Sequence, residues 1–440
     1  MVNGWSMTTL EHVAYFRNGA GIKQKYFHPT GIPLARISDF TEDSIDVSNL
    51  IYVEKEHAKK WFSHRLKRGE ILIATVGSWP PNWSSVVGKT IRVPLEAEGV
   101  IQNQNTCSII AIDAHANQNF LYYLLKSKSF IFYASNAASG SANQARIPVQ
   151  KLKNFEFEMP PMNEQTAIGH ILHSLDIRIE LNRQMNETLE AIAKAIFKSW
   201  FVDYDPVKAK MEGRKPYGMD EETAALFPDE FEDDDEFGRI PKGWETDPLD
   251  NIAEFLNGLA LQKYPPTGGD DDVPVIKIAQ LRKGDTEGSD YANIAQKPEY
   301  IVNDGDVIFS WSGSLMVKIW CGGMGALNQH LFKVTSEHYP KWFYYQWILK
   351  HMPEFQAIAE GKATTMGHIK RHHLNDAKVI VPPSDVLLKA DELIKHLIEK
   401  KIENNNQSRT LISLRDTLLP KLISGEIRIK NPEKFVEAIP

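Results

Sequence analysis

The feature that most constrains this chain is a stretch that occurs twice. The first copy runs from Pro160-Pro161 through Ile168, Leu175, Asn182, Leu189 and Ile196, and the second from Pro382-Pro383 through Ala390, Leu397, Asn404, Leu411 and Leu418. Equivalent residues differ by 222, as 397 − 175 and 404 − 182 both give. Mostly apolar residues at every seventh position mark a helix that packs along a partner helix. An internal repeat on this scale decides the architecture before any local element does. It predicts two modules, each ending in a long helix. The asparagine in each seam, Asn182 or Asn404, costs stability but can set register and orientation. The same residues could instead face solvent or another subunit.

The first helix can be capped at Asn163, with Glu164 in the first turn where the helix dipole favours an acid. Its pattern reaches Phe201, so it would be roughly 57 Å long at 1.5 Å per residue. The second can start at Ser384 as N-cap and run to Leu419, with Pro420 bending or ending it. Helices of this length need a partner along their seam, and the repeat supplies one.

Around the helices the chain has ordinary globular composition, 42% hydrophobic and 24% charged over 440 residues. That length allows about two or three domains. No run of about 18 apolar residues is present, so no membrane span is expected, and the start of the chain lacks a basic region followed by an apolar one. Cys107 and Cys321 lie in different halves without metal-ligand spacing, which suggests a reduced, metal-free, cytoplasmic protein. The net charge of −7 does not advertise nucleic-acid binding, but contact needs only a local basic face.

Residues 1–158 read as an α+β module. Short β-branched runs at 34–37, 45–53, 71–76, 85–93 and 106–112 predict strands. Phe120, Leu121, Leu124, Leu125 and Ile131 place one apolar face on a helix over 118–134, and 152–159 reads as a further strand. Residues 159–201 are the first long helix. Residues 202–242 read as an acidic connector, with ten acids and no Lys or Arg between Asp220 and Glu236. A solvated linker is the expected role, and a DNA-mimicking element the less favoured one. A second module over 243–381 repeats the first: Trp5 matches Trp244, Asn18-Gly19 matches Asn257-Gly258, Gly69-Glu70 matches Gly305-Asp306, Asn103-Gln104 matches Asn328-Gln329, and Tyr122-Tyr123 matches Tyr344-Tyr345. The second long helix occupies 382–424 and a tail 425–440.

Catalytic motifs are weak. Gly88-Lys89-Thr90 has Trp83 where a phosphate-binding loop needs its first glycine. Pro80-Pro81-Asn82-Trp83 has the residue types of an adenine methyltransferase motif in the wrong order. His368, His372, His373 and Asp376 could hold a metal, but histidines in a basic stretch serve as well on a surface or against DNA. Binding signals are better, because polar loops recur in matching places. Arg and Lys suit phosphates and guanine edges, and Asn and Gln pair bidentately with adenine. In the first module the candidates for DNA contact are Lys23, Gln24, Lys25, Tyr26, Arg36, Ser78, Trp79, Asn82, Trp83, Gln102, Asn103, Gln104, Ser139, Ser141, Asn143, Gln144 and Arg146. In the second they are Gln262, Lys263, Tyr264, Lys277, Ser312, Ser314, Lys318, Asn328, Gln329, Lys362, Thr364, Thr365, His368, Lys370 and Arg371. Singly these are ordinary polar loop residues, and Trp79 and Trp83 could be core. As a set repeated in two copies they favour DNA over a coiled-coil scaffold without a nucleic-acid role, or a single-chain DNA-modifying enzyme.

Several segments in order carry a family resemblance: Phe197-Lys198-Ser199-Trp200-Phe201-Val202-Asp203-Tyr204-Asp205-Pro206-Val207, Met211-Glu212-Gly213-Arg214, Ala224-Ala225-Leu226-Phe227-Pro228, Ile240-Pro241-Lys242-Gly243-Trp244, Pro161 with Glu164-Gln165, and Leu418-Leu419-Pro420-Lys421-Leu422-Ile423-Ser424-Gly425. Over essentially its whole length the chain resembles the DNA-specificity subunit of type I restriction-modification systems. The resemblance implies two target-recognition domains separated by two helices packed as an antiparallel coiled coil, with an internal pseudo-two-fold repeat. It implies that each domain reads half of a split DNA site and that the helices set the spacer. It implies no catalytic site and no cofactor on this chain. S-adenosylmethionine, ATP and Mg would belong to partners: two methyltransferase subunits, with restriction subunits in addition, in a prokaryotic cytoplasm. Base contacts are not carried over, because the recognition domains vary most within the family.

Overall fold

The computed structural model describes residues 4–141, 144–295, 297–361 and 367–433. The chain divides into two compact units, Met1–Arg178 with Leu411–Pro440, and Ile179–Thr410. Both divisions fall inside the long helices, Met162–Phe201 and Ser384–Ile423. The compact bodies therefore differ from the expected modules: each includes part of both helices.

In the first unit an antiparallel sheet runs in the order Ala14–Asn18, Thr106–Ala111, Ile71–Ala74, Thr90–Arg92. A second sheet runs Phe27–His28, Ile51–Val53, Ile32–Ala35, Ile101–Gln102, its last pair parallel. Ser6–Thr9 pairs with Glu156–Met159. The second unit repeats all three: Glu254–Asn257, Leu331–Thr335, Val307–Ser310, Met316–Ile319; then Tyr291–Asn293, Asp272–Ile276, Gly325–Leu327, Ile301–Val302; then Glu245–Pro248 with Lys378–Val381.

The strands Ile71–Ala74 and Val307–Ser310 are almost wholly apolar because both of their faces are buried. Ile71 and Ile73 enter the main core of the first unit while Leu72 enters a second cluster. Val307 and Phe309 do the same in the second unit, with Ile308 on the other side. Alternation of side chains along a strand produces this division. The helix predicted over 118–134 is two helices, Gln118–Lys126 and Lys128–Ala137, because Ser127 leaves helical geometry and caps the second through Phe130 N. Only Ile51–Val53 of the 45–53 run is a strand. Residues 152–159 are the end of a short helix, Val149–Lys153, followed by Glu156–Met159.

The long helices join each core. In the first unit Ile168 and Leu172 pack with Leu422 and Ile423 among the sheet and helix residues. In the second, Ala193, Phe197, Trp200 and Phe201 share a core with Val386, Ala390, Ile394 and Ile398. Contacts between the helices are antiparallel in both units. Asp176 meets Arg415 in the first; Asn182 meets Ser408, Asn186 meets Asn404 and Glu190 meets Lys401 in the second. Asn163 lies within the first turn, where its Oδ1 accepts from Glu164 N at 2.8 Å, rather than preceding the helix as its cap. Pro420 does not end the second helix, which continues to Ile423. Proline removes one backbone donor, and burial of Leu422 and Ile423 offsets that loss.

The stretch 202–242 is folded, contrary to a solvated linker. It holds two short helices, Asp205–Met211 and Glu221–Ala225, and a hairpin of Phe231–Asp234 with Gly238–Pro241. Val207, Met219, Phe227 and Ile240 are buried in the second unit's core beside Trp244. The acids face outward on a framework whose apolar residues face in. In the first unit the segment after the second long helix occupies the matching place. Arg428 bonds Glu164 through Nε at 2.7 Å and Nη2 at 2.8 Å, and Trp5 Nε1 donates to Glu164 at 3.0 Å. Burial pushes the Glu164 carboxyl up, but the bonds from Arg428 and Trp5 prevail and hold it below its usual range.

Candidate nucleic-acid interface

Five segments meet in the first unit, joined by backbone hydrogen bonds. Ala20 N donates to Gln102 O at 2.8 Å, and Gln104 N donates back to Ala20 O at 3.0 Å. Asn103 N donates to Ala35 O at 3.1 Å, Thr75 N to Asn105 O at 2.8 Å, and Ile147 N to Thr75 O at 2.9 Å. The second unit has the same set. Leu259 N donates to Leu327 O at 3.0 Å, Gln329 N to Leu259 O at 2.8 Å, Asn328 N to Ile276 O at 3.3 Å, Trp311 N to His330 O at 3.4 Å, and Ile369 N to Trp311 O at 3.0 Å. This shared frame equates Gln104 with Gln329, Asn105 with His330, Thr75 with Trp311, and Arg146 with His368. Glycine is needed at one corner of each. A Cβ at Gly19 would lie 1.9 Å from Asn103 O, and one at Gly258 would lie 2.3 Å from Asn328 O.

The candidates separate into those that build the frame and those that face outward. Gln102, Ser312 and Asn328 are buried, which corrects their expected place on a DNA-facing surface. Gln102 accepts from Ser108 Oγ at 2.8 Å and donates to Arg17 O at 3.2 Å, in a network where Arg17 also pairs with Glu70. Ser312 Oγ and His330 Nδ1 are 2.9 Å apart. Asn328 Oδ1 accepts from His330 N at 3.3 Å. These residues place loops and leave recognition to others.

On the first unit Lys23, Gln24, Lys25, Asn82, Gln104, Ser139, Ser141, Gln144 and Arg146 are exposed. Tyr26 is half-buried against Trp61, with Lys25 Nζ 5.0 Å from its ring centre. Asn103 is half-buried, and its Oδ1 accepts from Asn105 N at 3.1 Å. Arg36 closes its guanidinium on Asp39, with Nη2 at 3.0 Å from Oδ1. Ser78 Oγ donates to Asn82 O at 2.8 Å. Trp79 packs against the core and donates from Nε1 to Ser141 O at 2.9 Å, which ties its loop to the hairpin of Ser139–Ser141 and Gln144–Arg146. Trp83, by contrast, is 49% exposed. Asn143 lies outside the described residues.

On the second unit Gln262, Lys263, Ser314, Lys370 and Arg371 are exposed, while Tyr264, Gln329 and His368 are half-buried. Lys277 is ion-paired with Asp290. Arg371 Nη2 donates to Phe255 O at 3.2 Å. Lys318 Nζ donates to Arg282 O at 2.7 Å, and Arg282 Nη2 donates to Ser314 Oγ at 2.5 Å. Burial, then the charges of Lys401 and Arg282, push the Lys318 ammonium below its ordinary pKa. Lys362, Thr364 and Thr365 lie outside the described residues.

Arg282, Trp311 and His330 belong to this surface but were not among the sequence candidates. Trp311 stacks on Phe332 at 5.8 Å and donates from Nε1 to Asn257 Oδ1 at 3.0 Å. The available signal is adjacency, because Trp311 precedes Ser312 and His330 follows Asn328-Gln329. The surface offers amides, cations and aromatic faces, which are the groups that contact phosphates and base edges.

The seam residues form a separate group. Ile168 is buried, and Leu175, Leu189, Ile196, Leu397, Leu411 and Leu418 are half-buried. Asn182 and Asn404 are buried at 7% and 2% exposure. Asn182 Nδ2 lies 2.9 Å from Gln407 Oε1 and 3.2 Å from Ser408 Oγ, and Asn404 Nδ2 donates to Asn186 Oδ1 at 3.0 Å. Both asparagines therefore meet the opposite helix. No helix among the described residues is long and apolar enough to cross a membrane.

Comparison with known proteins adds the family. A family described as Type I restriction modification DNA specificity domain matches residues 3–191 and 241–413. The MjaIX type I restriction enzyme specificity subunit of Methanocaldococcus jannaschii is 30% identical over 337 residues, covering 74% of this chain and 73% of that protein. The HindI specificity subunit of Haemophilus influenzae is 25% identical over 412 residues, covering 82% and 87%. The crystal structure of the type I restriction-modification S subunit from M. genitalium has the same fold, with a TM-score of 0.59 over 96% of each chain at 15% identity.

Proposed function

This chain belongs to the type I restriction-modification DNA-specificity family, and from that premise we propose that its two units each read one half of an asymmetric, bipartite duplex site. The observation that carries this reading is the shared frame. The same backbone bonds join the same loops in both units, but Thr75, Asn105 and Arg146 are replaced by Trp311, His330 and His368. One backbone geometry with two sets of side chains suits two unlike half-sites.

The long helices act as the spacer in this reading. Each has 40 residues, or about 60 Å, and their antiparallel contacts tie each to the other within both units. Half-sites of helical readers are separated by about 34 Å per turn of duplex, within the reach of such helices. The chain serves as DNA reader and scaffold. Methyl transfer from S-adenosylmethionine and any ATP- and Mg-dependent cleavage belong to methyltransferase and restriction subunits docked on it in a prokaryotic cytoplasm.

The test is to co-express the chain with its methyltransferase partner and map modified adenines along a genome. The expected result is one motif with two different half-sites and a fixed unspecified spacer. A continuous motif, or two identical half-sites, would overturn the proposal.

A further inference from the structure

We propose that Arg146 is a specificity-determining residue that reads a guanine in the half-site of the first unit, and that His368 is its chemically different counterpart in the second. The inference rests on the DNA-reading role proposed above.

The frame makes the two positions equivalent. Ile147 N donates to Thr75 O at 2.9 Å and Ile369 N donates to Trp311 O at 3.0 Å, so the residue before each isoleucine leaves the frame at the same point. Arg146 and His368 are also 222 apart (368 − 146), the offset of the helices. The strand Gln144–Arg146 pairs with Ser139–Ser141 on one side and Val76–Gly77 on the other. Ala145 is buried while Gln144 and Arg146 are exposed, as strand alternation requires. The backbone is thus held from both sides while the Arg146 side chain points away from the core.

The other frame groups are less suited to reading a base. Gln102 and Asn328 are buried within the frame. Arg36, the other arginine among the first unit's candidates, has its guanidinium turned onto Asp39. Arg146 has no side-chain partner among the described residues. An open guanidinium can donate two parallel N–H bonds to guanine O6 and N7, the commonest base-specific contact in a major groove. An imidazole cannot reproduce that fork. His368 is half-buried at the corresponding point, with its ring 6.3 Å from that of Trp311. A base preference set by Arg146 should therefore have no equivalent in the other half-site.

The experiment uses the full chain with its methyltransferase partner, comparing wild type, Arg146→Lys, Arg146→Gln and His368→Arg by methylation mapping and by binding to duplexes substituted one base pair at a time. Arg146→Lys keeps the charge and loses the fork. It is expected to relax one guanine position of one half-site by about 5- to 150-fold, leaving the other half-site and the spacer unchanged. Arg146→Gln should move that position toward adenine. His368→Arg should add a guanine preference to the other half-site. The inference is overturned if Arg146→Lys keeps every base preference, or if Arg146→Gln weakens all duplexes equally and lowers the salt dependence, which is the behaviour of a phosphate contact. If the wild type itself shows no bipartite motif, the DNA-reading role fails instead.

Discussion

Replacing Arg415 should loosen the first unit selectively. Arg415 occupies a seam position of the second long helix, and its side chain is 10% exposed. Its Nη1 lies 2.9 Å from Asp176 Oδ1 and 3.6 Å from Asp43, and its Nε bonds Asp416 at 2.9 Å. Asp176 also accepts from Tyr123 at 2.5 Å and is 20% exposed. Arg415→Ala leaves that carboxylate beside Asp43 without its cation. Breaking a buried pair costs about 3–5 kcal/mol, and the remaining solvent contact of both acids places this case at the lower end, about 3 kcal/mol. For a body of this size, about 2–4 °C is lost per kcal/mol, so a fall of about 6–12 °C is expected. Calorimetry of the purified chain should show it in a transition assigned to the first unit by tryptic protection, with recognition of that unit's half-site lost before the other's. Asp176→Asn in the same chain should recover part of the loss, because the stranded charge is gone. A shift below about 2 °C, or no recovery in the double variant, would refute the reasoning.

Acid should also weaken the first unit through His173. Burial, then the Arg92 guanidinium, pull its pKa down to about 4, and Arg92 Nη1 lies 2.6 Å from its Nδ1. The ring is therefore neutral in the fold and protonates first in the unfolded chain, whose histidine pKa is about 6.5. Stability is full above that value and falls as pH drops toward 4; His173→Gln should flatten this part of a melting-temperature titration, and an unchanged slope would exclude His173 as its source. For the exposed Lys23 and Lys25, replacing either by Gln should reduce the slope of log affinity against log salt by about one without altering base preference. A changed motif with an unchanged salt slope would contradict their role as phosphate contacts.

Much of the architecture is legible in the residues because a repeat survives, at an offset of 222 in the helices (404 − 182) and 239 at the start of each module (244 − 5). The heptad through Asn182 and Asn404 is visible in the sequence, but it is half of the seam. The other half runs through Leu172, Ile179, Asn186, Ala193 and Trp200, and through Ile394, Lys401, Ser408, Arg415 and Leu422. It mixes apolar, amide and charged residues, and Lys401 and Arg415 are acceptable there because Glu190 and Asp176 neutralise them across the pair. Composition alone cannot show such compensation. The same limit applies to 202–242, where Val207, Phe227 and Ile240 are too widely spaced for a periodic signal although all three are buried. Site residues were harder to read. A polar loop residue looks the same whether it holds the frame, as Gln102 does, or faces outward, as Gln104 does, and only the backbone bonds between distant loops separate the two. The offset shared by Arg146 and His368, like the match of Asn103-Gln104 with Asn328-Gln329, is a sequence signal that marks an equivalent pair there.

The central claim is that two unlike half-sites are read at a fixed separation. Competition binding of the chain with its methyltransferase partner tests it most directly, using the mapped duplex and versions whose spacer is one or two base pairs longer or shorter. The account predicts that every altered spacer competes at least about 10-fold less well, a penalty of about 1.4 kcal/mol, with both half-sites intact. Equal competition by all spacers would contradict it.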